Sequence, residues 1–145
     1  MRHARAAASN IIPATTGAAK ALKLVSPELA GKLDGFAIRV PTPNVSLVDF
    51  TAFVEKQTTV EEVNQTLKAA SESGPMKGYL AYTTEDPVSS DFQSDSRPPI
   101  ALSHLTLVLG GHGLKVISWY DNQPGYCCRS RNCINTMAPN GPCTP

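Results

Sequence analysis

The apolar positions of the chain change period several times, and each change marks an element. In "ATTGAAKALKLV" and the residues after it, Ala18, Leu22, Val25 and Leu29 recur at helical spacing. Thr15 or Thr16 precedes them as a cap, Pro27 bends or ends the helix, and Gly31 marks a stop. "GFAIRVP" then alternates, with Phe36, Ile38 and Val40 on one side and Ala37 and Arg39 on the other. After the turn "PTPN", "VSLVDFTAFVEK" predicts a second strand with Val48, Phe50, Ala52 and Val54 on one face. "TTVEEVNQTLKAASES" returns to a helical period. Thr59 and Glu62 stand at capping-box spacing, Val60, Val63, Leu67 and Ala70 form the stripe, and Gly74-Pro75 ends it.

Beyond that helix, "GYLAYTT" predicts a strand, and the polar stretch "EDPVSSDFQSDSRPP" has room for at most one more. "LTLVLGGHGLKVISWYDN" predicts two strands joined by a glycine-rich turn. After Asn122 no period survives, so residues 123–145 are expected to form a divergent, irregular tail. The order helix, two strands, helix, several strands predicts an α+β domain. Short connections predict a mostly antiparallel sheet with the helices packed on one face.

Composition narrows the functional classes. The chain has 145 residues, enough for one hydrophobic core, and a formal net charge of +1. Near-neutrality argues against nucleic acid or an acidic membrane bound by bulk electrostatics. No apolar run reaches the roughly 18 residues that span a bilayer. The first residues carry Arg2, His3 and Arg5, several alanines, and no acid before Glu28. That composition resembles an organelle transit peptide, but the run passes smoothly into the first helix, which favours an ordinary domain segment. Cys127, Cys128, Cys133 and Cys143 all lie in the tail without paired Cys-x-x-Cys spacing, so neither a metal site nor a disulfide framework is expected.

Three places have side chains suited to chemistry. Thr16-Gly17 sits at a helix start, where free N–H groups and the helix dipole favour an anion, glycine admits a close ligand and threonine adds a donor; a plain helix cap uses the same residues. Arg39, near the end of a strand before a proline-rich turn, can fork two hydrogen bonds onto a phosphate or stand solvated. Asn122 in "SWYDN" offers an amide donor and acceptor that could read a carboxamide, or it closes a turn. No nucleophile–base pair is evident: His3, His104 and His112 have no cysteine or serine at a telling spacing, and "GGHG" lacks the helix a dinucleotide fingerprint requires.

Taken together, "RHARAAASNIIPATTGAAKA", "GKLDGFAIRVPTPNVSLVDF", "TTVEEVNQTLKAASESGPMKGYLAYT", "VSSDF" and "KVISWYDN" resemble the glyceraldehyde-3-phosphate dehydrogenase family, in its order and nearly its spacing. The resemblance covers about residues 2 to 122 and matches a C-terminal part of the catalytic domain, a fold incomplete relative to the family's. It implies an oxidoreductase: a cysteine thiolate attacks the aldehyde of glyceraldehyde 3-phosphate, a hydride passes to NAD or NADP, and inorganic phosphate releases the acyl phosphate. It implies that Thr16, Gly17 and Arg39 contact phosphate, that Asn122 orients the nicotinamide carboxamide, and that Tyr126 lies near that ring. It also implies a homotetramer, and a cytoplasmic location with a plastid as the alternative. The family's dinucleotide-binding domain and its Ser-Cys-Thr-Thr-Asn nucleophile segment have no counterpart here, so no catalytic residue and no dehydrogenase activity are expected of this chain alone. The alternative function is a non-catalytic module that pairs with full-length subunits. His3 stands where the family has an arginine, and Gln123 and Pro124 where it has an acid and an aromatic. "RPPIALS" replaces another family run, and "RSRNCINTMAPNGPCTP" replaces its final helix.

Overall fold

The computed structural model describes residues 4–96 and 99–138; Arg2, His3, Cys143 and the last part of the expected tail, residues 139–145, lie outside the described residues. The fold is α+β and falls into two compact units, Met1–Pro43 and Asn44–Pro145.

In the first unit, β1 (Ile12–Thr15) pairs antiparallel with β2 (Phe36–Arg39), and α1 (Ala18–Val25) follows β1 directly. No sequence signal marked "IPAT" as an element; its pairing with β2 makes it a strand. Helical φ/ψ angles begin at Gly17, and the Thr16 hydroxyl accepts a hydrogen bond from the Ala18 amide at 3.2 Å. Thr16 is therefore the effective cap, satisfying one of the orphan amides of the first turn. The helix stops at Val25, and Pro27 opens a single 3-10 turn, as a residue without an N–H must. The apolar stripes of this unit are not buried: Leu22, Val25, Phe36, Ile38 and Val40 are all exposed.

The second unit is built on a sheet of order β3-β7-β5-β4, with β6 also paired to β7. β3 (Ser46–Phe53), β6 (Leu107–Leu109) and β7 (Gly113–Tyr120) are antiparallel, whereas β4 (Ala81–Thr83) runs parallel to β5 (Ile100–Leu102). The strands on either side of "PTPN" were expected to pair as neighbours. They join different sheets: β2 pairs with β1 and β3 with β7. Proline-rich turns break the ladder here, so the register is set by partners distant in sequence.

The core of this unit is Phe92, Ile100, Ala101, Leu102 and Ile117. All three residues of β5 are buried, because it lies inside the sheet between an antiparallel and a parallel neighbour. Three apolar residues are too short a run to show a period, which is why sequence patterning did not mark this strand. The preceding polar stretch contains a 3-10 turn, Ser89–Phe92, whose Asp91 carboxylate accepts from the Val88 amide at 2.8 Å. That turn lets Phe92 drop into the core.

α2 (Val60–Glu72) has the bounds its sequence signals gave. Thr59 Oγ1 accepts from the Glu62 amide at 3.2 Å, and Glu62 Oε2 accepts from the Thr59 amide at 3.2 Å. Gly74 takes φ +77° beyond its end. Asn64 ties the helix to the sheet layer: its Nδ2 donates to the Ser103 carbonyl and its Oδ1 accepts from the buried Thr106 hydroxyl. Replacing Thr59 by Ala leaves the Glu62 amide without its acceptor, while the residue-59 amide keeps the Glu62 carboxylate, and is expected to lower stability by about 1 kcal/mol. Urea unfolding followed by circular dichroism would check it; a change below about 0.3 kcal/mol would show that the box contributes nothing here.

Residues 123–145 were expected to be irregular; over the described part they are not. α3 runs Asn122–Met137. Pro124 and Gly125 read as helix breakers, yet both fall in the first turn. A proline there loses only an amide that has no helical partner anyway. Asp121 supplies the missing cap, its carboxylate accepting from the Gln123 amide at 3.2 Å.

Candidate functional site

The end of β7 delivers a short run of side chains to one place. Asp121 is 3% exposed, so its carboxylate must be satisfied by the protein. Oδ2 accepts from Asn44 Nδ2 at 2.8 Å and from the Ser94 amide at 2.9 Å, and Oδ1 accepts from the Gln123 amide. One buried side chain thus joins the start of β3, the loop after Phe92 and the start of α3. The two described non-glycine residues with positive φ stand at these bonds: Val45, next to Asn44, at +69°, and Ser94 at +62°. For a β-branched residue such as Val45 that conformation is strained, and it persists where surrounding bonds fix the backbone.

Asn122 and Tyr126 follow on α3, one turn apart and facing the same way. With Tyr79, Tyr120, Asp121 and Arg129 they line a pocket of about 380 Å³. Tyr126 is 73% exposed at its rim. Asn122 is exposed, and its side-chain amide makes no hydrogen bond among the described residues, which leaves both donor and acceptor open to a ligand. Arg129 closes one wall. Its Nη1 donates to the Gly78 carbonyl at 3.1 Å and its guanidinium lies 4.8 Å from the centre of the Tyr79 ring. Sequence reading singled out Asn122 and Tyr126 but neither Asp121 nor Arg129. The Asp in "YDN" at a strand end is the one local sign of a cap that the pattern offered.

The other named residues stand in the first unit. Thr16 and Gly17 follow β1, and a Cβ built on Gly17 would meet nothing within 4 Å. Arg39 lies at the far end of the β1–β2 pair, opposite Ile12, while Thr15 is opposite Phe36. Four residues of extended chain therefore separate the level of Arg39 from that of Thr16, about 13 Å along the strand. The two side chains share no hydrogen bond, and Arg39 is exposed without a partner among the described residues.

The three described tail cysteines are free thiols: Cys127 and Cys133 are exposed and Cys128 is half-buried. Cys133 Sγ lies 3.8 Å from Met137 Sδ, and among the described residues no cysteine hydrogen-bonds a histidine. The His104 ring contacts the Thr84 carbonyl and His112 Nδ1 the Val54 carbonyl, so both serve loops rather than a nucleophile. No helix among the described residues is long and apolar enough to cross a membrane.

Comparison with known proteins agrees with the resemblance seen in the sequence. The family model described as "Glyceraldehyde 3-phosphate dehydrogenase, C-terminal domain" matches residues 1–122. A glyceraldehyde-3-phosphate dehydrogenase 2 of Nostoc sp. is 59% identical over 129 residues, covering 89% of this chain and 38% of that protein. The glyceraldehyde-3-phosphate dehydrogenase of Geobacillus stearothermophilus is 57% identical with the same coverage. A Caenorhabditis elegans relative of that name is 50% identical over 94% of this chain and 40% of its own length. The chain spans about two fifths of the length of these relatives. With residues 1–122 matching its C-terminal domain, the chain belongs to the glyceraldehyde-3-phosphate dehydrogenase family.

Proposed function

We propose that this chain supplies part of the active centre of a glyceraldehyde-3-phosphate dehydrogenase: the phosphate contacts and one side of the nicotinamide site. Thr16, Gly17 and Arg39 would bind the phosphate of glyceraldehyde 3-phosphate and inorganic phosphate. Asn122 would pair with the carboxamide of NAD or NADP, and Tyr126 would stand against its ring. The bound cofactor would accept the hydride; the chain's own residues orient and bind. The observation that carries this reading is Asn122, an exposed amide unpaired among the described residues and held at the mouth of a pocket that Tyr79, Tyr120 and Tyr126 help to line. Gly17 agrees with it. Its φ of −83° suits any residue and its surroundings are open, so neither backbone nor packing demands a glycine, whereas a ligand approaching the amide does.

The nucleophile would come from family segments that this chain does not span, since none of its described cysteines is set beside a base. The purified chain is therefore expected to form no reduced cofactor from glyceraldehyde 3-phosphate, phosphate and NAD or NADP. Adding the preceding portion of a family relative should restore phosphate-dependent reduction, in a cytoplasmic-type homotetrameric assembly. Turnover by the chain alone would refute the assignment of the nucleophile.

A second reading is a non-catalytic module that pairs with full-length family subunits. It is favoured by the face of the sheet beside α2, where Val48 and Phe50 are exposed and an open groove of about 850 Å³ is lined by Phe50, Val63, Leu67, Leu114 and Val116 among others. Apolar surface of that extent marks an interface or an aggregation risk. Co-purification of the tagged chain with a full-length subunit supports this reading; a monodisperse chain that ignores the subunit counts against it.

A further inference from the structure

α3 is an unusual support for a binding site. None of its 16 residues is buried, so hydrophobic packing does not fix where it lies. Yet Asn122, Tyr126 and Arg129 are spaced i, i+4, i+7, the spacing of a single helical face, and all three line the same pocket. Asp121 holds the first amides of this helix. Two turns further on, Arg129 reaches out to the turn before β4. There its guanidinium donates to the Gly78 carbonyl and lies over the Tyr79 ring. The Gly78 backbone has φ +80°, a conformation natural to glycine, and this turn presents carbonyl and ring to the same guanidinium.

We infer that Arg129 is a positioning residue: it clamps the face of α3 that carries Asn122 and Tyr126 to the Gly78-Tyr79 turn, and so fixes where those two side chains meet a nicotinamide ring. This rests on the reading of Asn122 and Tyr126 as ligand contacts. A planar cation over an aromatic face, with a carbonyl accepting a hydrogen bond from one of its N–H groups, constrains both distance and rotation, which a loose apolar contact would not.

The test uses the full chain and the oxidised mononucleotide of nicotinamide as probe, with binding followed by chemical shifts of the Asn122 side-chain amide and the Tyr126 ring. Arg129→Met keeps the length of the side chain but removes charge and donors; Arg129→Lys keeps the cation; Tyr79→Leu removes the ring. Arg129→Met and Tyr79→Leu should each speed amide exchange over residues 122–129 by about 5-fold while β3 and β7 exchange as before. Arg129→Met should weaken probe binding by about 5-fold, and Arg129→Lys should restore it to within about 2-fold. Unchanged exchange in Arg129→Met, or altered exchange with unchanged probe affinity, overturns the positioning role alone. A wild-type chain whose Asn122 amide ignores the probe overturns the ligand reading and this inference with it. Should Arg129→Met fail to fold, Tyr79→Leu makes the same comparison.

Discussion

Asp121→Ala is expected to destabilise the second unit by at least about 3 kcal/mol, because it strips the acceptor from three donors at once. The Asn44 side-chain amide and the Ser94 and Gln123 backbone amides all end on this carboxylate, which is 3% exposed. The substitution also removes the cap of α3 and releases the bonds flanking the two positive-φ residues, Val45 and Ser94. Asp121→Asn should cost less, about 1–2 kcal/mol: one oxygen still accepts, but an amide group now faces a donor. Trp119, the chain's single tryptophan, lies in β7 two residues away, so its fluorescence during urea unfolding reports on this unit. A midpoint for Asp121→Ala within the error of the wild type would show that water replaces the carboxylate without loss and that the hub is incidental.

Phe92→Ala is expected to cost about 3–5 kcal/mol, in the range for an aromatic side chain removed from a core. Phe92 is 5% exposed, and its ring centre lies 6.4 Å from that of Trp119, tilted by 32°. The cavity would open beneath the 3-10 turn that the Asp91 cap maintains, close to the loop that gives Asp121 its Ser94 bond. Phe92→Leu keeps most of the volume and should lose about half as much. The native emission of Trp119 should shift in Phe92→Ala before any denaturant is added. An unshifted spectrum with a loss under about 1 kcal/mol would mean that the turn collapses to fill the space.

The two substitutions also mark what the amino-acid pattern left out. Asp121 is adjacent to Asn122 in sequence, but two of its three donors lie 77 and 27 positions upstream. No periodicity or spacing rule links residues so far apart. Arg129 was hidden for the same reason, since Gly78 is 51 positions away. Thr16, by contrast, was read as a possible cap and does cap α1, because that bond spans two residues. Asn122 and Tyr126 were placed by family resemblance, and the structure adds that they share one helix face and one pocket. Thr16 and Arg39 were each given a phosphate contact by the same resemblance, and the backbone sets them at opposite ends of the β1–β2 pair.

By itself, the sequence determined the elements whose signals are local. α2 carries its cap and its stripe within 16 consecutive residues, "TTVEEVNQTLKAASES", and its stop in the Gly74-Pro75 that follows directly. The β6–β7 hairpin is written in alternation around a glycine turn, and the family is written in motifs that survive as contiguous strings. Tertiary structure decided the rest: that β2 and β3 part company into different sheets, that three unremarkable residues form the inner strand β5, and that a stretch holding Pro124 and Gly125 is helical. The first two depend on partners supplied from elsewhere in the chain, a ladder from β1 or β7 and neighbours on both sides of β5; the third depends on the adjacent Asp121 carboxylate, which distant donors hold in place. Local preference sets what a segment can become, and the groups left to satisfy when the chain closes on itself decide which of those it is.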